Sequence, residues 1–299
     1  MAKVDFWWDQ PDKSPPVNYG SYVAEVLRRR PAISLPTIAV VGSFLLFQSS
    51  ALWKSIGRTG VIRTMAFSDL PDEDIGDRAT ALLRWTPYGG RAASAWHRRR
   101  IPDNIRVLND ALDSDKVNVE ANFADAAGYG SFIDPTTSDG LAVAKSRING
   151  RHDGRVFRTP FTPEEDPSTV YQRLIDNSLG DHVFDLRMPF VLGNPLFAYI
   201  KVRERSRRFE NSNAHVSMVL PCEVLTDEEI GVCRRFCSGI GLDYGELDIL
   251  RDGAGGRMYV IDVNDTPAGP PKGLSLGDRN MALRLIALGF RRHVFNLPC

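Results

Sequence analysis

The chain has 299 residues, of which 37 are basic and 37 acidic, so its formal net charge is zero. This balance provides no overall field that would favour nucleic acid or a charged membrane surface. A hydrophobic content of 43% is enough for ordinary cores, and the length predicts two or three structural units in a globular chain. The four cysteines form no CxxC pair or disulfide-like spacing, which favours a reducing, cytoplasmic environment.

The first hundred residues contain no motif to which chemistry can be assigned. Residues 31–53 carry no charge and follow three arginines, so a membrane segment is one alternative. Polar residues interrupt this run, however, and its strongly apolar part is too short to span a bilayer. We therefore expect no stable membrane insertion and predict a strand at Thr37–Val41, a turn at Gly42 and a helix through Trp53 and Ile56.

Apolar spacing predicts further elements on both sides of residue 100. A second strand is predicted at Val61–Met65 and a helix at Asp72–Leu83. Leu141–Lys145 is a short apolar strand that ends in a lysine, and a loop with glycines follows it. Farther along, two apolar strands flank a hairpin turn predicted at Gly193–Asn194.

Basic residues crowd the segment from Lys201 to Arg208. Such a run often marks a nucleic-acid patch, but interleaved acids and the neutral total charge argue against that reading here. If the run begins as a strand, alternation places Lys201, Arg203 and Arg205 on one face, which we expect to look into a cleft. Residues 207–208 would lie beyond the strand and should matter little.

The last third of the chain predicts two helices. Thr226 followed three residues later by Glu229 is a capping box, which starts a helix over residues 227–239. A final helix is predicted over residues 278–290.

Between these helices, the stretch from Gly241 to Gly269 combines a hairpin pattern with oxygen-bearing side chains at fixed offsets. Residues 244–250 and 258–263 have the composition of strands, and a glycine-rich segment between them supplies the turn.

Alternation on the second strand sends Asp262 and Asn264 to one face and points Ile261 and Val263 into the core. Asp248 on the first strand adds a second carboxylate. Magnesium prefers such hard oxygen ligands, with phosphates and water completing its octahedron. The alternative is a solvent-facing hairpin whose acids only increase solubility.

This hairpin resembles the end of the ATP-grasp fold, especially the branch that contains the ribosomal-protein glutamate ligases and the glutathione synthetases. In that family an aspartate on one strand and a carboxylate-x-asparagine on the next bind two Mg²⁺ ions that bridge the phosphates of ATP. The resemblance implies that Asp248, Asp262 and Asn264 are ligands of Mg²⁺, or of Mn²⁺ in its place. Asp262 is shorter than the usual glutamate, which makes one bound ion a firmer expectation than two.

The resemblance covers residues 101–290, where further motifs occur in the order of the family. It implies an α+β fold in which two α+β subdomains clasp ATP, here over residues 101–299. A small α/β domain is expected ahead of it, over residues 1–100.

The same motifs imply roles for individual residues. Two lysines would hold phosphates, glycines would cover the triphosphate, and the strand at Thr169–Ile175 would bind adenine through its backbone. The implied nucleotide-binding residues are Lys116, Lys145, Gly150, Gly154, Gln172, Arg173 and Asp185. Arg187 and Arg203 would stabilise negative charge on the transferring group.

The implied activity is an ATP- and Mg²⁺-dependent carboxylate–amine ligation through an acyl phosphate. Its partners would be a small-molecule or peptide carboxylate and an amine-type nucleophile, with no nucleic acid, and a homo-oligomer is compatible with the sequence. Two alternatives remain open, namely a small-molecule kinase on the same fold and a nucleotide-binding regulator without turnover.

Overall fold

The computed structural model describes residues 35–42, 47–67, 79–85, 101–148, 151, 153–164, 166–210, 212–253 and 256–297, with the backbone alone at 65–67. Three sheets organise this part of the chain.

The first sheet is parallel, with the strand order β2-β1-β3-β4. Its strands are β1 (Thr37–Gly42), β2 (Arg63–Phe67), β3 (Ala81–Trp85) and β4 (Arg106–Leu108). The central strands β1 and β3 are apolar except for Thr37 and Arg84 and are buried except at the ends of β1, as is usual for a parallel sheet that is covered on both faces. Helix α1 (Ala51–Thr59) starts at Ser50, whose hydroxyl accepts a hydrogen bond from the Trp53 N–H at 3.0 Å.

These elements test the N-terminal predictions. The strand at Thr37–Val41 and the helix through Trp53 and Ile56 are confirmed. The predicted helix at Asp72–Leu83 is wrong at its end, because Ala81–Leu83 belong to β3 and are buried on both faces. A fully buried strand lacks the alternation that separates it from a helix. The rest of that prediction, residues 72–78, lies outside the described residues. In the described part of the chain, no helix combines the length and apolarity needed to cross a bilayer.

The second sheet is antiparallel, with the main order β12-β11-β9-β13-β14. Its strands are β8 (Ser178–Leu179), β9 (His182–Val191), β10 (Asn194–Pro195), β11 (Ala198–Glu204), β12 (His215–Val219), β13 (Tyr244–Arg251) and β14 (Met258–Asn264). Helices α2 (Lys116–Ala127) and α3 (Asp227–Ile240) pack together against one face of it. The predicted hairpin over residues 244–263 is confirmed.

The hairpin that joins β9 to β10 turns one residue earlier than predicted. Asn194 already pairs with Val191, so the turn residues are Leu192 and Gly193, with φ of 47° and 73°. Two successive left-handed residues match the right-handed twist of the flanking strands. Leu192 therefore adopts a left-handed backbone conformation that is unusual for leucine, because this turn type requires it at both central positions.

The third sheet is small and antiparallel, with the order β6-β5-β7. Its strands are β5 (Gly140–Ser146), β6 (Arg155–Thr159) and β7 (Thr169–Arg173), so the predicted strand at Leu141–Lys145 is confirmed.

The capping box of α3 is also confirmed. The Thr226 hydroxyl accepts from the Glu229 N–H at 3.3 Å, and the Glu229 carboxylate accepts from the Thr226 N–H at 2.9 Å. Helix α4 (Leu276–Gly289) starts two residues before its predicted first residue, because Ser275 caps it by accepting from the Asp278 N–H at 3.1 Å.

One buried apolar cluster joins the parallel sheet to the large antiparallel sheet. Trp85 comes from β3 and Phe47 from the segment just before α1, Tyr199 comes from β11 with Phe197 just before it, and Phe290 follows α4. The rings of Phe47 and Trp85 meet edge to face, with centroids 5.3 Å apart and an interplanar angle of 74°. The N-terminal strands therefore share a core with the sheet that carries the candidate site.

We predict that Gly241→Ala destabilises the fold more than Gly128→Ala. Both glycines end helices at φ of 77°, where an added Cβ costs about 1–2 kcal/mol. Only at Gly241 would that Cβ also meet backbone atoms, at 3.2 Å from Ala111 and 3.3 Å from Leu112. The free energies of unfolding of both variants in urea measure the difference. Equal losses would contradict the close packing at Gly241.

Candidate functional site

A cleft with about 1100 Å³ of empty space lies between the small sheet and the large antiparallel sheet. Among the described residues, eight basic and five acidic side chains line it. The basic residues are Lys116, Lys145, Arg151, Arg173, Arg187, Lys201, Arg203 and Arg208. A lining with excess positive charge favours a polyanionic ligand.

Strand register builds the floor of this cleft from a row of charged side chains. Asp248 lies directly opposite Arg187 on β9 and opposite Asp262 on β14. Arg187 donates two hydrogen bonds to the Asp248 carboxylate, at 2.8 and 2.7 Å, and Lys201 donates a third at 3.1 Å. Burial alone would raise the pKa of Asp248, but the two cations together hold it well below its usual range.

A β-bulge sets the course of β14 at this row. Asp248 pairs with Asp262 and the next residue, Ile249, pairs with Val260, so Ile261 has no partner across the ladder. Ile261 is half-buried and lines the cleft, and its carbonyl accepts from the Lys145 ammonium at 3.4 Å. Ile261 packs against the core as predicted and borders the cleft as well, and Val263 is fully buried as predicted.

Both lysines predicted to hold phosphates lie in the cleft. Lys116, in the first turn of α2, donates to the Ile148 carbonyl at 3.1 Å. Burial lowers the pKa of Lys145 to about 8, and the charge of Asp262 opposes that shift. Burial also raises the pKa of Asp262, against the effect of the two lysines. The charges of Lys116, Lys145 and Asp262 thus act on one another, next to the Arg187–Asp248 ion pair.

Asn264 lies two pairs farther along the hairpin, opposite Glu246. Its amide nitrogen donates to the Glu246 carboxylate at 3.1 Å. Sequence reasoning missed Glu246, although alternation along β13 places it on the same face as Asp248. Burial raises the pKa of Glu246, and the charge of Arg187, 3.8 Å away, opposes that shift.

A second network closes the end of the cleft near β11. Arg203 forms an ion pair with Asp185 and donates to the Arg208 carbonyl at 3.1 Å. Asn177 donates to Asp185 at 2.8 Å and accepts from the Arg208 guanidinium at 2.6 Å. These hydrogen bonds and the ion pair therefore hold four side chains from three segments in place in the cleft wall.

This network corrects the interpretation of the arginine run. Lys201 and Arg203 face the cleft as predicted, but the strand ends at Glu204, and Arg205 lies exposed in a 3₁₀ turn that runs to Arg207. The turn folds the chain back, so Arg208 lines the cleft. The prediction that Arg208 lies away from the site is wrong.

The remaining predicted residues border the cleft from the small sheet. Gly154 packs against the Phe209 ring, where a Cβ would stand 2.9 Å from the ring edge. Gln172 is buried and donates to the Ser131 hydroxyl at 2.5 Å, and Arg173 donates to the Tyr259 hydroxyl at 3.3 Å. Gly150 lies outside the described residues.

The predicted metal ligands offer two carboxylates and one amide. Asp248 and Asp262 face the cleft side by side, and Asn264 stands on the same strand face two residues from Asp262. Within the described ranges, no group of three or more histidine, cysteine, aspartate or glutamate side chains could enclose a metal ion. The donor set therefore fits Mg²⁺ that is partly held by phosphates and water, rather than by the protein alone. The ligand assignment stays a prediction.

Two antiparallel sheets on either side of a basic cleft, with helices behind the larger one, define an α+β fold. No protein-family model and no curated protein matches the sequence. Solved structures do match. One is the ATP-grasp ligase PsnB, complexed with a phosphomimetic variant of minimal precursor, Mg and ADP. Its TM-score is 0.52 at 17% identity, and the match covers 86% of this chain and 100% of that one.

Two further matches cover 88% of this chain and 98% of their own. A RiPP-associated ATP-grasp ligase of Chryseobacterium gregarium, in complex with ADP and a leader and core peptide, has a TM-score of 0.51 at 13% identity. D-alanine–D-alanine ligase from Bacillus anthracis, complexed with ATP, has a TM-score of 0.50 at 12% identity. The chain has the ATP-grasp fold, which confirms the predicted α+β class.

We predict that Arg203→Ala lowers the free energy of unfolding by about 3 kcal/mol, because it leaves the buried Asp185 carboxylate without its cation. Arg207→Ala is the matched control: Arg207 is exposed and pairs only at the surface with Glu210, so its loss should change stability by less than about 0.5 kcal/mol. Urea unfolding of both variants gives the two values. Small, equal effects would mean that the whole run is a solvated edge.

Proposed function

We propose that the protein is an ATP- and Mg²⁺-dependent ligase that joins a carboxylate to an amine-type nucleophile through an acyl phosphate. One observation carries the proposal. Lys116 and Lys145 face the Arg187–Asp248–Asp262 row across the cleft of an ATP-grasp fold. This arrangement offers cations for a triphosphate on both sides and carboxylates for the accompanying metal ion on one.

In the proposed complex, the lysines hold phosphate oxygens from one wall of the cleft. Arg187 and Arg203 reach the transferring group from the other wall. Both arginines are already oriented by carboxylates, Arg187 by Asp248 and Arg203 by Asp185. Cations fixed in this way stabilise developing negative charge without reorganising during the reaction.

The reaction needs no protein nucleophile. An oxygen of the substrate carboxylate attacks the γ-phosphorus, and the bond to the bridging oxygen breaks, which releases ADP and leaves an acyl phosphate. The amine nitrogen then attacks the acyl carbon, the carbon–oxygen bond breaks, and inorganic phosphate and a proton leave. Positioning and charge neutralisation are the main requirements of such a transfer. Mg²⁺, held by Asp248, Asp262 and Asn264, would supply part of that neutralisation.

The similar structures support this choice of partners. PsnB was solved with a precursor and with Mg and ADP, and the Bacillus anthracis ligase with ATP. The Chryseobacterium gregarium ligase was solved with a leader and core peptide. A peptide or a small molecule that carries a carboxylate, together with an amine, is therefore the substrate class to test first. Mn²⁺ is the ion to test in place of Mg²⁺.

An ADP-release screen over amino acids, peptides and sugar acids, followed by product analysis, tests the function. ADP with a new amide is the expected result. ADP with a phosphorylated alcohol would instead establish a kinase, and tight ATP binding without ADP formation under every substrate would establish a regulator.

Asp248→Asn and Asn264→Ala should each abolish ATP turnover while the secondary structure is retained, because both residues are proposed metal ligands. Asp252→Asn, in the turn of the same hairpin, is the control and should retain turnover. ADP release and circular dichroism of the three variants provide the test. Turnover retained by either ligand variant would remove the metal assignment.

Lys145→Ala should weaken binding of an ATP analogue about ten- to hundredfold. The variant loses a charge-assisted contact to phosphate, which is worth about 1.5–3 kcal/mol. Calorimetric titration measures the affinity, and Lys272→Ala, at an exposed lysine, serves as the control. A change of less than twofold would indicate that Lys145 only supports the Ile261 carbonyl.

A further inference from the structure

Glu246 is a buried carboxylate on the site face for which the proposed reaction has no use. Its side chain is 2% exposed. One oxygen, Oε2, accepts from Asn264 at 3.1 Å and lies 3.8 Å from Arg187 Nε. The other oxygen, Oε1, has no hydrogen-bond partner among the described residues. Buried polar atoms are nearly always partnered, so a carboxylate with spare capacity at this position suggests a second arrangement of its neighbours.

The hydrogen bonds of Asp248 show why a second arrangement would be needed when a metal ion binds. Both of its oxygens accept hydrogen bonds from Arg187, and Oδ1 also accepts from Lys201. A divalent cation bound to Asp248 would compete with the guanidinium for the same lone pairs and repel it. Arg187 cannot simply withdraw, because a largely buried cation that loses its hydrogen-bonded carboxylate is strongly unfavourable.

We propose that Glu246 is the second counter-ion of Arg187 and accepts its guanidinium when Asp248 binds the metal ion. The inference rests on the proposed function, since it takes Asp248 as a metal ligand. Glu246 is then a positioning residue that acts through Arg187.

The distances make this exchange a small movement. A charge-assisted hydrogen bond needs about 2.8 Å between nitrogen and oxygen, so Arg187 Nε has to approach Glu246 by about 1 Å from its present 3.8 Å. Contact through Nε would leave the two terminal nitrogens of the guanidinium for an anion in the cleft. Lys201 can stay on Asp248 throughout. The exchange therefore keeps every buried charge paired. It also orients the guanidinium of Arg187 toward the phosphate.

The test measures metal binding rather than turnover. Free Mn²⁺ is followed by electron paramagnetic resonance in the presence of a non-hydrolysable ATP analogue, for the full chain and for Glu246→Gln. The variant should bind Mn²⁺ at least tenfold more weakly, while its melting temperature without ligands stays close to that of the wild type. Glu229→Gln is the control, because Glu229 is also an arginine-paired carboxylate, bonded to Arg251 at 2.6 and 2.8 Å on the far side of the sheet. Its Mn²⁺ affinity should not change.

A double-mutant cycle separates the exchange from direct ligation. In an Arg187→Gln background, Glu246→Gln should have no further effect on Mn²⁺ affinity, because that background has no guanidinium for Glu246 to bind. An equal loss in both backgrounds would make Glu246 a metal ligand and overturn the exchange, as would unchanged Mn²⁺ affinity in the single variant.

A measurement on the wild type keeps the proposal testable if Glu246→Gln fails to fold. The Arg187 Nε–Hε resonance, assigned by its loss in Arg187→Lys, should shift when Mg²⁺ and the analogue are added together. An unmoved resonance would overturn the exchange alone. A wild type that binds no Mn²⁺ with the analogue would overturn the proposed function itself, which is a different result.

Discussion

The ion pair between Arg187 and Asp248 is the interaction on which the cleft depends. It joins the two central strands of the large sheet across their side chains as well as their backbones, and Lys201 brings in a third strand. Asp262 on β14 lies beside Asp248, so four adjacent strands contribute to one polar row. Charges at this depth are stable only while they are paired, so each of them needs a partner in any arrangement that the cleft adopts.

The small sheet is attached to this row by weaker and more local contacts. Lys145 reaches the Ile261 carbonyl at 3.4 Å, and Gly154 lies against the Phe209 ring. Neither contact belongs to a large apolar cluster, in contrast to the core that unites the parallel sheet with the large sheet. A cleft with one firmly anchored wall and one lightly attached wall is suited to a ligand that enters and leaves in every cycle.

Much of this architecture could be predicted from the sequence where a local pattern decides the result. The capping box at Thr226 and the hairpin around Asp248 and Asp262 follow from short-range rules, and the order of motifs gave the fold. The sequence could not separate helix from strand at Leu82 and Leu83, because β3 is covered on both faces.

The features of the site that the sequence did not predict have a common physical origin. Glu246 is hidden because a glutamate in a strand is normally solvent-facing, and only the pairing of β13 between two other strands buries it. The bulge at Ile261 depends on how two strands pair, and the position of Arg208 depends on a 3₁₀ turn that the basic run does not signal. Each feature is decided by how the chain pairs or folds back on itself, which the residue types alone do not specify.

The bulge at Ile261 also limits how this hairpin can evolve. Residues may be gained or lost between the strands at little cost, because doubling a loop costs only about 0.6 kcal/mol in closure entropy. A single deletion within β14, between Met258 and Asp262, is different, since it would remove the bulge or turn every following side chain to the other face. Natural length variation in relatives of this chain should therefore collect at the tip of the hairpin, and the spacing from bulge to asparagine should be inherited intact.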